Sequence, residues 1–420
     1  MRNIFDQYTQ PENRVTHALL TALDQDRSLL SSFLRDLVGV KPPTDPKKLT
    51  VLEQRYPGDT EPDESDLERR GIPDGWIFDE NAWCLFIESK VLIKLTSDQI
   101  ERHLRTARRR GFETVVAVVI TPVQTVRAPA GTILLEWKQV YCWLKRHQQR
   151  EWARRAADYL EVAEAKLIEA SQLLEGTLTS FSGFPFGADH PFTWLEGKRV
   201  LGLAMNELRS DPRLSKAFNL SPNGLGRPAI TGRQENRVWD FISLAEPTAT
   251  DNDAFTYHPH LTLAIGPEWV EAMVTIPNGL SPSIRRPLVD LGEEGFKQTV
   301  KAVVRNLGPL LKKCEGARPL FRGVQRRYPS QRAKPFYDAT LEFDLRTAVE
   351  DSGPPKLQPT WLSAGYSAFV QKRGSNYQIQ LGVQFPYDRC PEVAEASSLT
   401  LIRDAWIGCK PILGSTHEQQ

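Results

Sequence analysis

Two hydrophobic periods alternate along the first third of the chain, one of about 3.6 residues and one of 2. Val15, Ala18, Leu19, Ala22 and Leu23 recur at helical spacing behind Pro11, which suits a first turn, and Glu12, which the helix dipole favours there. A second amphipathic stretch runs from Leu29 to Leu37, and a Pro/Lys loop spans Lys41 to Lys48. Leu49 to Tyr56 predicts a strand, and Pro57 to Arg70 an acidic loop. Gly75 to Phe78 and Trp83 to Ile87 flank the polar Asp79-Glu80-Asn81, the pattern of a β-hairpin. A helix capped by Thr96 or Ser97 should reach about Arg110, with Ile100, Leu104 and Ala107 as its apolar stripe. Thr114 to Ile120 is the continuous apolar run of a buried central strand. Thr132 to Trp137 predicts a fifth strand and Val140 to His147 a helix.

Beyond residue 150 the pattern changes. Trp152, Ala156, Tyr159, Ala163, Leu167, Ala170 and Leu174 predict a helix of about seven turns whose seam suits one partner helix, within the chain or in a second copy. Thr177 to Pro191 is rich in Gly, Ser, Pro and Phe and reads as a linker. The expected division is therefore 1–150, a helix and linker over 151–190, and an α+β domain over 191–420. In that last part, helices are expected at Leu195–Arg209, Gly295–Lys313 and Val393–Cys409. Strands are expected at Arg237–Ala245, His260–Ile265, Trp269–Ile276, Thr340–Leu345, Trp361–Gln371 and Tyr377–Phe385.

Composition narrows the picture only modestly. No apolar run approaches the roughly 18 residues of a membrane span, and the N-terminal MRNIFDQYTQ lacks a signal peptide's apolar core. Five cysteines without CxxC spacing suit a reducing cytoplasm and give no zinc motif. A net charge of +1 offers no global argument for nucleic-acid binding, so that argument must be local.

Chemistry concentrates between Gly71 and Lys90. Asp74 follows Pro73, and after thirteen residues Glu88-Ser89-Lys90 closes a hydrophobic run. A hairpin of this size sets Asp74 near Glu88 at the far end of the second strand. Residues two apart in a strand share a side, so Glu88 and Lys90 face Asp74 while Ser89 turns away. Two carboxylates and an ammonium at an open sheet end suit Mg²⁺, which takes carboxylate and water ligands. They also suit hydrolysis of a phosphodiester, because a bound cation acidifies water and neutralises phosphate charge.

Pro73-Asp74 with Glu88-Ser89-Lys90, in the order helix, strand, Asp-bearing hairpin, Glu-x-Lys strand, Gln-bearing helix, strand, resembles the PD-(D/E)xK nuclease superfamily. The resemblance covers about a third of the chain. It implies a restriction-endonuclease-like α/β domain, a central mixed sheet flanked by helices, in front of the α+β C-terminal domain. It further implies Asp74 and Glu88 as ligands of Mg²⁺ (or Mn²⁺), Lys90 beside the attacking water, and Gln99 as a supporting group. Glu12 has two readings, a dipole-favoured first-turn residue or a further ligand; Glu53 is the alternative to it. Pro62-Asp63 is a weaker match, lying in polar sequence with no strand after it.

The Gln99 helix also carries Arg102, His103, Arg105, Arg108, Arg109 and Arg110. These read either as a solvated face or as contacts to a phosphate backbone, with Arg102, His103 and Arg105 nearest the site. DNA is the first expectation for the partner, RNA the second; a homodimer or a regulatory protein would fit the long helix. His258-Pro259-His260 reads as a turn into a strand rather than a metal site. Arg322 to Lys334 is basic and reads as an exposed hairpin loop or a second nucleic-acid surface. The expected function is a metal-dependent nuclease, of the kind found among bacterial defence effectors; the alternative is a silent nuclease-like scaffold that binds nucleic acid or a protein.

Overall fold

A computed structural model describes residues 5, 8, 10–55, 57, 72–80, 82–92, 96–123, 128–169, 176–218, 220, 236–244, 258–277, 282–327, 336–349, 359–370 and 377–417. Most of the expected acidic loop, including Pro62-Asp63, lies outside them, as do Ala170, Leu174 and the stretch Tyr328–Lys334. The chain divides into two compact units, Met1–Ser180 and Phe181–Gln420.

The first unit is an α/β structure on a mixed five-stranded sheet. Its described elements run α1 (Pro11–Gln25), α2 (Arg27–Ser32), β1 (Thr50–Glu53), β2 (Gly75–Phe78), β3 (Trp83–Ser89), α3 (Ser97–Arg109), β4 (Thr114–Thr121), β5 (Ile133–Glu136), α4 (Trp137–Arg146) and α5 (Glu151–Glu169). Sheet order follows chain order; β1, β2 and β3 are antiparallel neighbours, while β3–β4 and β4–β5 are parallel. The second amphipathic stretch splits: α2 passes into a π-helical turn, Phe33–Val38, closed by Gly39 in the left-handed region. Trp137 begins α4 rather than ending β5, because Glu136 and Gln139 form a reciprocal capping box.

Every residue of β3 is buried, and its alternation serves two cores. Leu85 and Ile87 join Leu19, Leu23, Val118, Trp137 and Tyr159 on the face covered by α1, α4 and α5. Cys84 and Phe86 join Trp76, Ile100, Ala107 and Val119 on the face covered by α3. The α5 seam packs within the unit, against α1 and α4, and Ala153, Ala157 and Leu160 widen it. Gly75 admits α1 onto the hairpin: a Cβ there would lie 2.5 Å from a Leu20 methyl.

The second unit carries a six-stranded antiparallel sheet. Its elements are α6 (Trp194–Arg209), α7 (Pro212–Phe218), β6 (Val238–Ser243), β7 (His260–Ile265), β8 (Trp269–Ile276), α8 (Pro282–Asp290), α9 (Gly292–Lys313), β9 (Arg318–Arg327), β10 (Phe336–Asp344), α10 (Thr360–Val370), β11 (Tyr377–Pro386) and α11 (Ser398–Gly408). The strand order is β10-β9-β11-β8-β7-β6. One large core joins the helices to one side of the sheet, from Leu201 and Leu263 through Leu381 to Trp406.

Three expectations for this half are corrected. The expected strand from Trp361 is instead a helix as far as Val370, Gln371 lying outside the described residues: Leu362, Gly365, Tyr366 and Phe369 are buried at spacings of three and one, the mark of a helical face. Val393–Cys409 is interrupted, with a 3₁₀ turn at Pro391–Ala394 before α11. Arg322 to Arg327 is not an exposed loop but the end of β9, paired with β10 throughout and with β11 as far as Gln325. There Arg322 donates to Glu271 at 2.7 and 2.8 Å and to Glu342 at 2.7 Å, so its charge is held inside the sheet.

Candidate active site

The hairpin register pairs Gly75 with Ile87, which brings Asp74 to the level of Glu88 at the end of β3. Asp74 Oδ2 accepts from the Ser89 amide at 2.7 Å, and the Gln54 amide donates to its carbonyl at 3.1 Å. Glu88 is 1% exposed. Its Oε1 accepts from Lys90 Nζ at 2.6 Å and from Gln99 Nε2 at 2.5 Å. Lys90 is anchored in turn: its amide donates to Ile120 O at 2.9 Å, and Trp137 Nε1 donates to its carbonyl at 3.2 Å. Against the expectation that Ser89 turns away from Asp74, its side chain as well as its amide acts on the Asp74 carboxyl, while its hydroxyl hydrogen-bonds that of Thr16 on α1.

Glu12 reaches the same strand end from α1. It is buried, and its Oε1 accepts from the Leu92 amide at 3.1 Å; its charge also acts on Lys90. Glu53 pairs with Gly75 in the sheet register and is held by His17 Nδ1 at 2.6 Å. Asp74, Glu88, Lys90 and Gln99 therefore converge, and Glu12 acts on the same lysine.

The electrostatics are those of an unbalanced pair. Burial, and then the charge of Glu88, push the Asp74 carboxyl up to about 8, against the opposing pull of Lys90 and the Ser89 amide. Burial would raise Glu88 too, but His103 and the Lys90 ammonium outweigh it and hold Glu88 below the usual carboxylate range. Burial would lower Lys90, yet Glu88 and Asp74 keep it firmly protonated. The site thus holds one stable ion pair beside a second carboxyl whose ionisation is opposed by burial and by Glu88. No group of three or more His, Cys, Asp or Glu side chains shaped to hold a metal occurs among the described residues. Two facing carboxylates nevertheless fit Mg²⁺, which typically takes one or two carboxylates and completes its shell with water and phosphate. Glu88 Oε2 is also buried without a hydrogen bond.

The positive residues of α3 separate by face. Arg102, Arg105, Arg108 and Arg109 are exposed, and Arg105 makes a surface ion pair with Glu101 at 3.8 Å. His103 is corrected: it is 0% exposed, turned inward against Glu88 and edge-on to Phe86, so it cannot meet a phosphate backbone. The missed signal was its spacing from Gln99, since residues four apart share a helix face. In the second unit His260 is buried in β7, with Nδ1 3.1 Å from His258 O, as a strand residue rather than a ligand.

The five cysteines are free thiols. Among the described residues no helix is long and apolar enough to cross a membrane. Comparison of the chain with protein-family models, curated proteins and solved structures finds no match.

Proposed function

We propose that the first unit is a Mg²⁺-dependent nuclease of the PD-(D/E)xK, restriction-endonuclease-like kind, with DNA as its first substrate. The observation that carries this reading is half-buried Asp74 level with buried Glu88, beside a protonated Lys90 at an open strand end. Two like charges so placed oppose one another, and a divalent cation is the group that relieves them. Asp74 and Glu88 would hold Mg²⁺ or Mn²⁺, with Glu12 beside Lys90 as a further acidic group. When bound, the cation acidifies a water and offsets charge on the phosphate.

The chain's own residues supply the rest. Lys90, as an ammonium, orients the attacking water or stabilises the phosphate charge rather than accepting a proton. Gln99 fixes Oε1 of Glu88 without adding charge. Arg102 and Arg105, on the exposed face of the same helix, would take backbone phosphates and set the strand in register. The second unit would choose the substrate, bind a partner or restrain the first.

Calorimetric titration of the full chain with Mn²⁺ tests the cation site apart from turnover. Binding that disappears in Asp74→Ala, with an unchanged circular dichroism spectrum, is the expected result. No binding, or equal binding in that variant, would remove the basis for the reading.

A further inference from the structure

The two oxygens of Glu88 are treated unequally. Oε1 has two donors, Lys90 and Gln99, whereas Oε2 has none although it is just as deeply enclosed. His103 Nε2 stands 3.2 Å away but is not aligned for a hydrogen bond. Both ring nitrogens of His103 are themselves buried without hydrogen-bond partners. A buried polar group left in that state costs about 1–3 kcal/mol. One small rotation of the ring or the carboxylate would satisfy an atom on each side.

A packing role alone does not account for this. The wall around His103 is apolar, with Phe86 at 5.7 Å between ring centroids and Ile100 and Ala107 in the same core. An apolar side chain would fill that wall without stranding two nitrogens. Imidazole is instead set 3.2 Å from Glu88 Oε2, a buried acceptor without a donor. His103 and Gln99 stand one turn apart on α3, so a single helix face addresses both oxygens of Glu88.

We propose that His103 is a positioning residue for Glu88. Its Nε2–H donates to Oε2 and fixes the rotation of the carboxylate, so that Oε1 stays turned to the strand end where Asp74 and Lys90 lie. No proton is transferred in this role. The inference rests on the reading of Asp74 and Glu88 as cation ligands. Groups that orient a ligating side chain in this way typically change metal affinity by 10–100-fold.

The test is Mn²⁺ titration of full-length wild type, Asp74→Ala, His103→Phe and His103→Gln. Phe keeps the packing and removes the donor; Gln offers an amide N–H near the place of Nε2. The expected result is affinity at least about 10-fold weaker in His103→Phe and substantially recovered in His103→Gln. Equal affinity in wild type and His103→Phe would overturn the inference while leaving the cation site standing. So would a deeper loss in Gln than in Phe, the order expected of pure packing. If wild type binds no Mn²⁺, or Asp74→Ala binds as well as wild type, the site and the inference fall together. Should His103→Phe not fold, imidazole ¹⁵N spectra of the wild type decide. A proton on Nε2 supports the role, and a neutral ring protonated only on Nδ1 overturns it.

Discussion

Asp74 is under opposing demands. Its carboxyl is buried beside Glu88, and a group raised from 3.8 to about 8 holds in the folded state a proton that the unfolded chain loses. Stability of the metal-free protein should therefore fall as pH rises through that window. Asp74→Asn should remove the fall and, at pH 7 in EDTA, stabilise the first unit by about 1–3 kcal/mol, discounting for partial exposure. A melting curve that does not move, or moves down, would contradict the unbalanced pair. At this scale the sequence was informative where neighbours decide position. The hairpin spacing set Asp74 level with Glu88, whereas strand alternation alone did not foresee that Ser89 also reaches the Asp74 carboxyl. His103 was illegible because a lone histidine among arginines looks solvent-facing; its burial depends on Phe86, fifteen or more residues distant in sequence and adjacent only in the fold.

At the scale of elements, α3 is a helix with two faces. Gln99 and His103 turn to Glu88, while Arg102 and Arg105 remain in solvent. Reversing both arginines to glutamate should weaken DNA binding strongly and reduce the salt dependence of log K by a slope of about 2, near 0.9 for each lost phosphate contact. Mn²⁺ affinity should stay unchanged; an unaltered salt slope would mean that this face is only solvated. In the other unit, Glu271 is 1% exposed and bound by Arg322 and Gln384. Glu271→Ala should cost about 3–5 kcal/mol by leaving the guanidinium buried beside a gap, measurable by urea unfolding. The same strand shows why part of this unit was unreadable. Arg318 to Arg327 lacks the apolar alternation of a strand because its arginines meet Glu271, Glu342, Gln378 and Gln384 inside or along the sheet. Trp361 to Gln371 failed differently: a short apolar run fits either period, and only burial of Leu362, Gly365, Tyr366 and Phe369 identifies the helix.

Across the whole molecule, the two units carry titratable groups of opposite sense. His260 is pushed down to about 4 by burial, so the unfolded chain binds a proton that the folded second unit refuses. Its contribution is fully present above about pH 6.5 and is lost as pH falls toward 4. Asp74 makes the metal-free first unit less stable in the other direction, as pH rises from about 4 to 8. Hydrogen exchange in each core, followed from pH 4.5 to pH 7.5 in EDTA and corrected for intrinsic rates, should show opposite trends around Ile87 and Leu263. Parallel trends would contradict one of the two burial arguments. Length and the change of character near Phe192 pointed to more than one unit, and the division falls at Ser180–Phe181, with α5 inside the first unit rather than apart from it. The first announces its site through charged residues at a strand end; the second uses its charged residues to close its own sheet.

The central claim is hydrolysis of phosphodiesters at Asp74, Glu88 and Lys90. It is tested most directly by incubating the full chain with plasmid, linear and single-stranded DNA and with RNA, in Mg²⁺, Mn²⁺ or EDTA, beside Asp74→Ala and Lys90→Ala. The account predicts cleavage with either cation, none in EDTA, and loss of at least about 100-fold in both variants, the scale of removing a group that stabilises transition-state charge. Cleavage that persists in both variants, or in EDTA, would contradict it.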